Sequence, residues 1–128
     1  MRILLFARRN TKEILRDPIH LLFALGFPLI LLFLFSVINS AIPAEAKNDM
    51  FIITKTAPGM ATFGTVFFAL FSGVLLAKDR TSSFLMRLFA APMTSLDYII
   101  GYTLPILAMA AIQSIITFSA AVLLGLPL

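Results

Sequence analysis

Three stretches of this chain contain no Asp, Glu, Lys or Arg: Ile19 to about Ser40, about Ala57 to Ala77, and about Ile99 to Leu124. Each is long enough, as a helix rising about 1.5 Å per residue, to cross roughly 30 Å of hydrocarbon. Helix is the form required there, because three segments cannot close a β-barrel and an open sheet edge is not tolerated in lipid. Composition agrees. The chain is 60% hydrophobic and 12% charged, against about 25% charged in ordinary soluble domains. A soluble fold of this size has nowhere to hide so much apolar surface. The expected fold class is therefore all-α: a polytopic membrane protein with an N-terminal interfacial amphipathic helix plus three transmembrane helices.

Local signals mark the ends of the runs. Asp17 followed by Pro18 reads as an N-cap and first helical residue opening the first span. Thr94 with Asp97 three residues on reads as a capping box opening the third. Pro28 and Pro105 lie inside spans and are expected to kink them. The basic start and Ala44-Glu45-Ala46 imitate a cleavable signal peptide. The first apolar run is too long for that reading, and two further runs follow it.

Basic residues set the expected orientation. Arg2, Arg8, Arg9, Lys12 and Arg16 precede the first span, and Lys78, Arg80 and Arg87 lie between the second and third. The first connection carries only Lys47 and Lys55, diluted by Glu45 and Asp49. By the positive-inside rule the N-terminus and the Lys78–Asp97 loop are cytoplasmic, and the Ala41–Thr56 loop faces outward. The expected site is the plasma (inner) membrane, as a multi-pass protein with its N-terminus cytoplasmic. The net charge of +4 is spent on topology, so no nucleic acid partner is expected. The stop at Gly125-Leu126-Pro127-Leu128, just past an odd-numbered span, reads as a cut at a hairpin. It leads us to expect the first half of a longer membrane domain.

The spans carry little chemistry. Ion-coupled transporters place an ionisable residue near the bilayer midplane, and none occurs here; His20 sits at the basic end of the first span, where an interfacial histidine is the plainer reading. There are no cysteines to hold a metal. Gly59 and Gly64 imitate phosphate-loop spacing, but Thr65-Val66 follow in place of Lys-Ser or Lys-Thr. With no acid–base or metal cluster, neither an enzyme nor a cofactor is expected.

Two patterns in the spans invite a packing role. Ala57, Ala61, Thr65, Ala69, Gly73 and Ala77 recur every four residues of the second span. They suggest a ridge of small side chains that packs helices closely, either internally or between two copies. Phe63, Phe67, Phe68, Leu70 and Phe71 then occupy the opposite positions, toward lipid or a greasy substrate. In the third span Gln113, with Ser114 and Thr117, must bond another helix or face a wet pathway.

Two segments outside the spans are amphipathic. In Arg2–Arg16, Leu4, Ala7, Thr11, Ile14 and Leu15 fall on one side. This suits a helix lying in the interface plane, its basic face toward anionic headgroups or a partner; simple topogenic charge is the plainer alternative. Between the second and third spans, Ser82–Phe89 is expected to form a short helix stopped before Pro92, with Phe84, Leu85, Leu88 and Phe89 at helical spacing. Such a helix can plug into a groove on a soluble partner.

Three stretches resemble the N-terminal half of the membrane subunit of type-2 ABC exporters, the family that includes daunorubicin-type drug efflux and polysaccharide export permeases. They are Arg9-Asn10-Thr11-Lys12-Glu13-Ile14-Leu15-Arg16-Asp17-Pro18 followed by Phe27-Pro28; Asp79-Arg80-Thr81 with Arg87-Leu88-Phe89-Ala90-Ala91-Pro92-Met93-Thr94; and Tyr98-Ile99-Ile100-Gly101-Tyr102. With the topology, the resemblance covers residues 1–128 as one transmembrane domain half, with spans at about 19–40, 57–77 and 99–124. It implies a six-helix permease domain, here represented by three spans, that dimerises and pairs with a separate ABC ATPase subunit. The helix Arg2–Arg16 would pack against that ATPase, and about Arg80–Ala91 would supply a coupling helix, with Arg80, Phe84, Arg87 and Leu88 the contact residues. ATP-driven closure would move a hydrophobic or amphipathic cargo, such as a drug, lipid or glycan-like molecule, outward. Ala61, Thr65, Ala69 and Gly73 would serve helix packing or a dimer surface against a second permease copy or the missing C-terminal half. Gln113 would be a possible pathway contact. The alternative is a small membrane protein that acts by helix–helix association, as an assembly or regulatory partner.

Overall fold

The computed structural model describes residues 2–47 and 49–126, apart from the side chains of Arg2, Leu85 and Leu88. An N-terminal helix, Arg2–Arg16, precedes a first span, Pro18–Ala41. Two short 3₁₀ turns, Ala44–Ala46 and Asp49–Phe51, lead to the second span, Ile53–Thr81. A short helix, Ser83–Phe89, joins it to the third span, Ser95–Leu123. All three spans are long and apolar enough to cross a membrane, and no strand occurs among the described residues.

The second and third helices overrun their apolar runs. Each has 29 residues, about 44 Å of helix against roughly 30 Å of hydrocarbon. A charged residue ends an apolar run without ending the helix, so Lys78, Asp79 and Arg80 continue the second span into the headgroup zone. Both expected caps are present. The Asp17 carboxylate accepts from the Ile19 and His20 amides at 3.1 and 3.4 Å, with Pro18 in the first turn. The Thr94 amide donates to Asp97 at 2.9 Å, and the Asp97 amide donates back to the Thr94 hydroxyl at 3.3 Å.

The two span prolines behave differently. Pro28 has no N–H for the Ala24 carbonyl four residues back, and the helix just before it widens into a π turn, Leu22–Gly26. The third span continues as α-helix through Pro105.

The seam of the bundle is not the expected ridge. On the second span Ala57, Ala61, Gly64, Phe68, Leu75 and Asp79 are buried, at steps of three, four and seven. Such steps average 3.5 residues and stay on one face. A strict four-residue repeat instead advances about 40° per step around a 3.6-residue helix. Ala57 and Ala61 are therefore inside, while Thr65, Ala69, Gly73 and Ala77 emerge on the exposed surface. Phe68, expected to face outward, is 2% exposed. Phe63, Phe67 and Phe71 are half-buried, stacked in a ladder against Phe23, Phe27 and His20 of the first span.

The three spans come closest at Gly64. A Cβ there would collide with the side-chain amide of Gln113 and lie 3.0 Å from the Ala24 carbonyl oxygen. Removing the side chain lets the backbones approach where water supplies no hydrophobic push.

Candidate functional site

The basic end of the bundle gathers every element except the two 3₁₀ turns. The N-terminal helix turns Phe6, Ala7, Asn10 and Ile14 inward, one and four residues apart. The expected apolar side, Leu4, Ala7, Thr11, Ile14 and Leu15, is only partly the packed one, since Leu4 and Leu15 are exposed. The reason is that the packed face seeks Gly101 and Asp79, which a polar Asn10 and a flat Phe6 suit better than leucine. Asn10 donates to the Gly101 carbonyl at 2.9 Å, and Phe6 lies where a Cβ on Gly101 would be.

Asp79 is the centre of this end. Its side chain is 4% exposed. Arg9 donates to it in a fork, at 2.9 Å to one oxygen and 3.2 Å to the other, and the Tyr102 hydroxyl donates to the first of these oxygens. Arg9 also pairs with Glu13 at 2.8 Å, and Glu13 with Lys78 at 3.6 Å. The N-terminal helix, the second span and the third span thus share one buried carboxylate. Two parallel charge-assisted bonds fix orientation as well as distance, and the Asp79 hydrogen bond raises the Arg9 pKa above its ordinary value. Beside them, Asp17 lies 2.7 Å from the His20 ring nitrogen, which with the helix-start amides holds its carboxyl below the usual carboxylate range.

The short helix hangs from this cluster by Phe84. The Arg9 guanidinium carbon sits 3.8 Å from the centre of the Phe84 ring, and Phe6 stacks on its other neighbours, with ring centres 6.3 Å from Phe84 and 5.1 Å from Tyr102. Phe84 is therefore turned into the bundle. Met86 and Phe89 point the other way, 80% and 79% exposed, and Arg87 is exposed between them. Arg80 belongs to the last turn of the second span, not to the short helix. The side chain of Leu88 lies outside the described residues.

The remaining expected residues lie elsewhere. Ala61 is buried in the seam, and Thr65, Ala69 and Gly73 are exposed along the second span. Gln113 is fully buried, packed on Gly64, and its amide donates to Thr117 one turn on in the same helix at 2.9 Å. Its carbonyl oxygen has no hydrogen-bond partner among the described residues. The spans thus bring Gln113 to the point of closest packing, away from the basic end.

Arg9, Asn10, Asp79, Gly101 and Tyr102 escaped the search for site residues. One signal for Asp79 was available: continuing the 57, 61, 64, 68, 75 seam by four lands on it. Nothing local in the sequence pairs Arg9 with a residue 70 positions away.

Among the described residues no group of three His, Asp or Glu gathers to hold a metal. The arrangement is mechanical in kind: a rigid charged joint, an exposed apolar tip on a short helix, and apolar spans behind them. No curated protein and no solved structure matches the chain. The family model described as ABC-2 type transporter matches residues 1–128, and the chain belongs to that family of ABC transporter membrane components.

Proposed function

We propose that this chain is the permease part of an ATP-driven exporter, with its basic end in the cytoplasm and a separate ATPase subunit docked there. The observation that carries the reading is the two-sided short helix Ser83–Phe89. Met86 and Phe89 offer an apolar tip to a partner groove, while Phe84 ties the same helix to Arg9 and, through it, to Asp79 and Tyr102. Displacement of the tip by the ATPase is passed to the second and third spans together, because one carboxylate joins them. In this reading Met86, Arg87, Phe89 and Leu88 meet the ATPase, Arg80 lies beside the contact, and Phe84 transmits rather than touches. Work supplied from the partner also suits spans that hold no midplane ionisable residue. Aromatic, uncharged spans suit a hydrophobic or amphipathic cargo moved outward.

The exposed ridge of Thr65, Ala69 and Gly73 favours a close helix contact with a second permease copy or a further half of the domain. Gln113, enclosed at Gly64, acts in this scheme by positioning the second and third spans. A chain that works by association alone would use the same ridge, and the docking experiment separates the two readings. Affinity-tagged protein is purified from native membranes with any ATPase it carries. Met86→Glu with Phe89→Glu, or Arg87→Glu, is expected to release the ATPase while the protein stays in the membrane. Recovery of no ATPase with the unaltered protein, or undiminished recovery with both variants, sinks the exporter reading.

A further inference from the structure

The N-terminal helix crosses the third span and leaves a groove of about 430 Å³ between them. Its walls differ in chemistry. Arg8 and Lys12, one turn apart, rim the side formed by the N-terminal helix, and Leu104, Pro105 and Ala108 form the floor on the third span. Arg8 and Lys12 are exposed, and no described carboxylate pairs with either. The nearest candidate along the helix, Glu13, is engaged by Arg9 at 2.8 Å and Lys78 at 3.6 Å. Two cations are thus left uncompensated at the mouth of an apolar slot.

The depth of the groove identifies its occupant. Counting back from Leu123 at about 1.5 Å per residue, roughly 30 Å of hydrocarbon ends near Thr103 or Leu104. The floor therefore begins where acyl chains begin, and the basic rim stands at the level of phosphates. Long basic side chains carry their charge toward that level, and basic pockets beside membrane helices take anionic headgroups.

We propose that this groove is a binding site for one anionic phospholipid, its phosphate between Arg8 and Lys12 and an acyl chain along Leu104 and Ala108. The lipid supplies the negative charge that the chain itself withholds from this face. It also fills the slot between the N-terminal helix and the third span, so it braces the side of the Arg9–Asp79–Tyr102 joint that Phe6 and Asn10 do not cover. The site depends on membrane insertion and not on the identity of any ATPase.

The test uses the whole protein in nanodiscs of phosphatidylcholine and phosphatidylglycerol mixed three to one, extracted into mild detergent. Lipid retained per protein is read by native mass spectrometry. Unaltered protein is expected to keep one phosphatidylglycerol in preference to phosphatidylcholine. Arg8→Gln with Lys12→Gln should weaken retention on the order of thirty-fold. Ala108→Phe, which fills the floor and leaves both charges, should weaken it as well and serves alone if the glutamine pair does not fold. Arg16→Gln, off the groove, should leave it unchanged. Equal loss with Arg16→Gln means general surface charge and overturns the site. So does displacement by millimolar inorganic phosphate with no effect of Ala108→Phe, which means a bare anion site. Release of a bound protein by the glutamine pair with lipid retention intact overturns it in favour of an acidic partner.

Discussion

At the basic end, elements far apart in the sequence converge on one buried carboxylate, Asp79. In the middle of the bundle, the three spans converge on an absent side chain, Gly64. The first junction is held by charge: Arg9, Tyr102 and Asp79 satisfy one another, and no one of them can be removed without stranding a group. The second is held by shape: Ala24, Gly64 and Gln113 approach closely because nothing stands between them. A charged joint resists rotation and transmits it. A shape-held joint resists overpacking but tolerates sliding of a few tenths of an ångström. A permease driven from one end needs stiffness near the driver and accommodation along the spans, and the two junctions divide those properties between them.

The comparison breaks most sharply at Arg9. Arg9→Leu leaves Asp79 buried with Tyr102 alone and is expected to cost about 3 kcal/mol or more of stability. Arg9→Leu combined with Asp79→Leu should recover most of that loss, because apolar replacement of a whole pair is far cheaper than leaving half of it. Thermal unfolding in detergent micelles checks both; equal midpoints for the single and double variants would show that the charges are not coupled.

Next in size is Gly64→Leu, which forces a side chain into the Gln113 amide and is expected to cost about 2 kcal/mol. Shortening Gln113 to Ala in that background should restore part of it, whereas Asp79→Leu should not. A cross-rescue between the two junctions would erase the distinction drawn here.

Phe84→Ala removes the ring beneath the Arg9 guanidinium and is expected to cost about 1 kcal/mol. Its larger effect should be local. The short helix, cut from its anchor, should become faster to cleave by trypsin at Arg87 while the spans stay protected. Protection unchanged at Arg87 would show that Phe84 does not tether the helix. The smallest effect belongs to Thr94→Ala, which deletes one half of the capping box at the start of the third span and is expected to lower stability by about 1 kcal/mol or less. It should leave cleavage at Arg87 as it was.

Much of the fold could be read directly. Runs without charge fixed the number of spans, and Asp17-Pro18 and Thr94 with Asp97 fixed two of their starts, because caps act within one turn. The seam was misread for a physical reason: a four-residue repeat looks regular on paper but rotates around a helix, so Thr65, Ala69 and Gly73 left the face on which Ala61 began. The site was legible as a region more than as residues. Phe84 was singled out among helically spaced apolar residues of the short helix, but its direction was not, since an amphipathic helix of two turns does not state which side its neighbours will occupy.

The same three stretches that carry the family resemblance supply the charged joint: Arg9 and Asn10 from the first, Asp79 from the second, Gly101 and Tyr102 from the third. Sequence alone determined what each segment had to be, because hydrocarbon leaves an uncharged run of this length little choice but helix, and because caps and prolines act on their own turns. Tertiary structure alone decided that an arginine, an aspartate and a tyrosine from separate helices share one site. Such pairing depends on how far each helix runs past the lipid and on its rotation about its own axis, and packing sets both quantities.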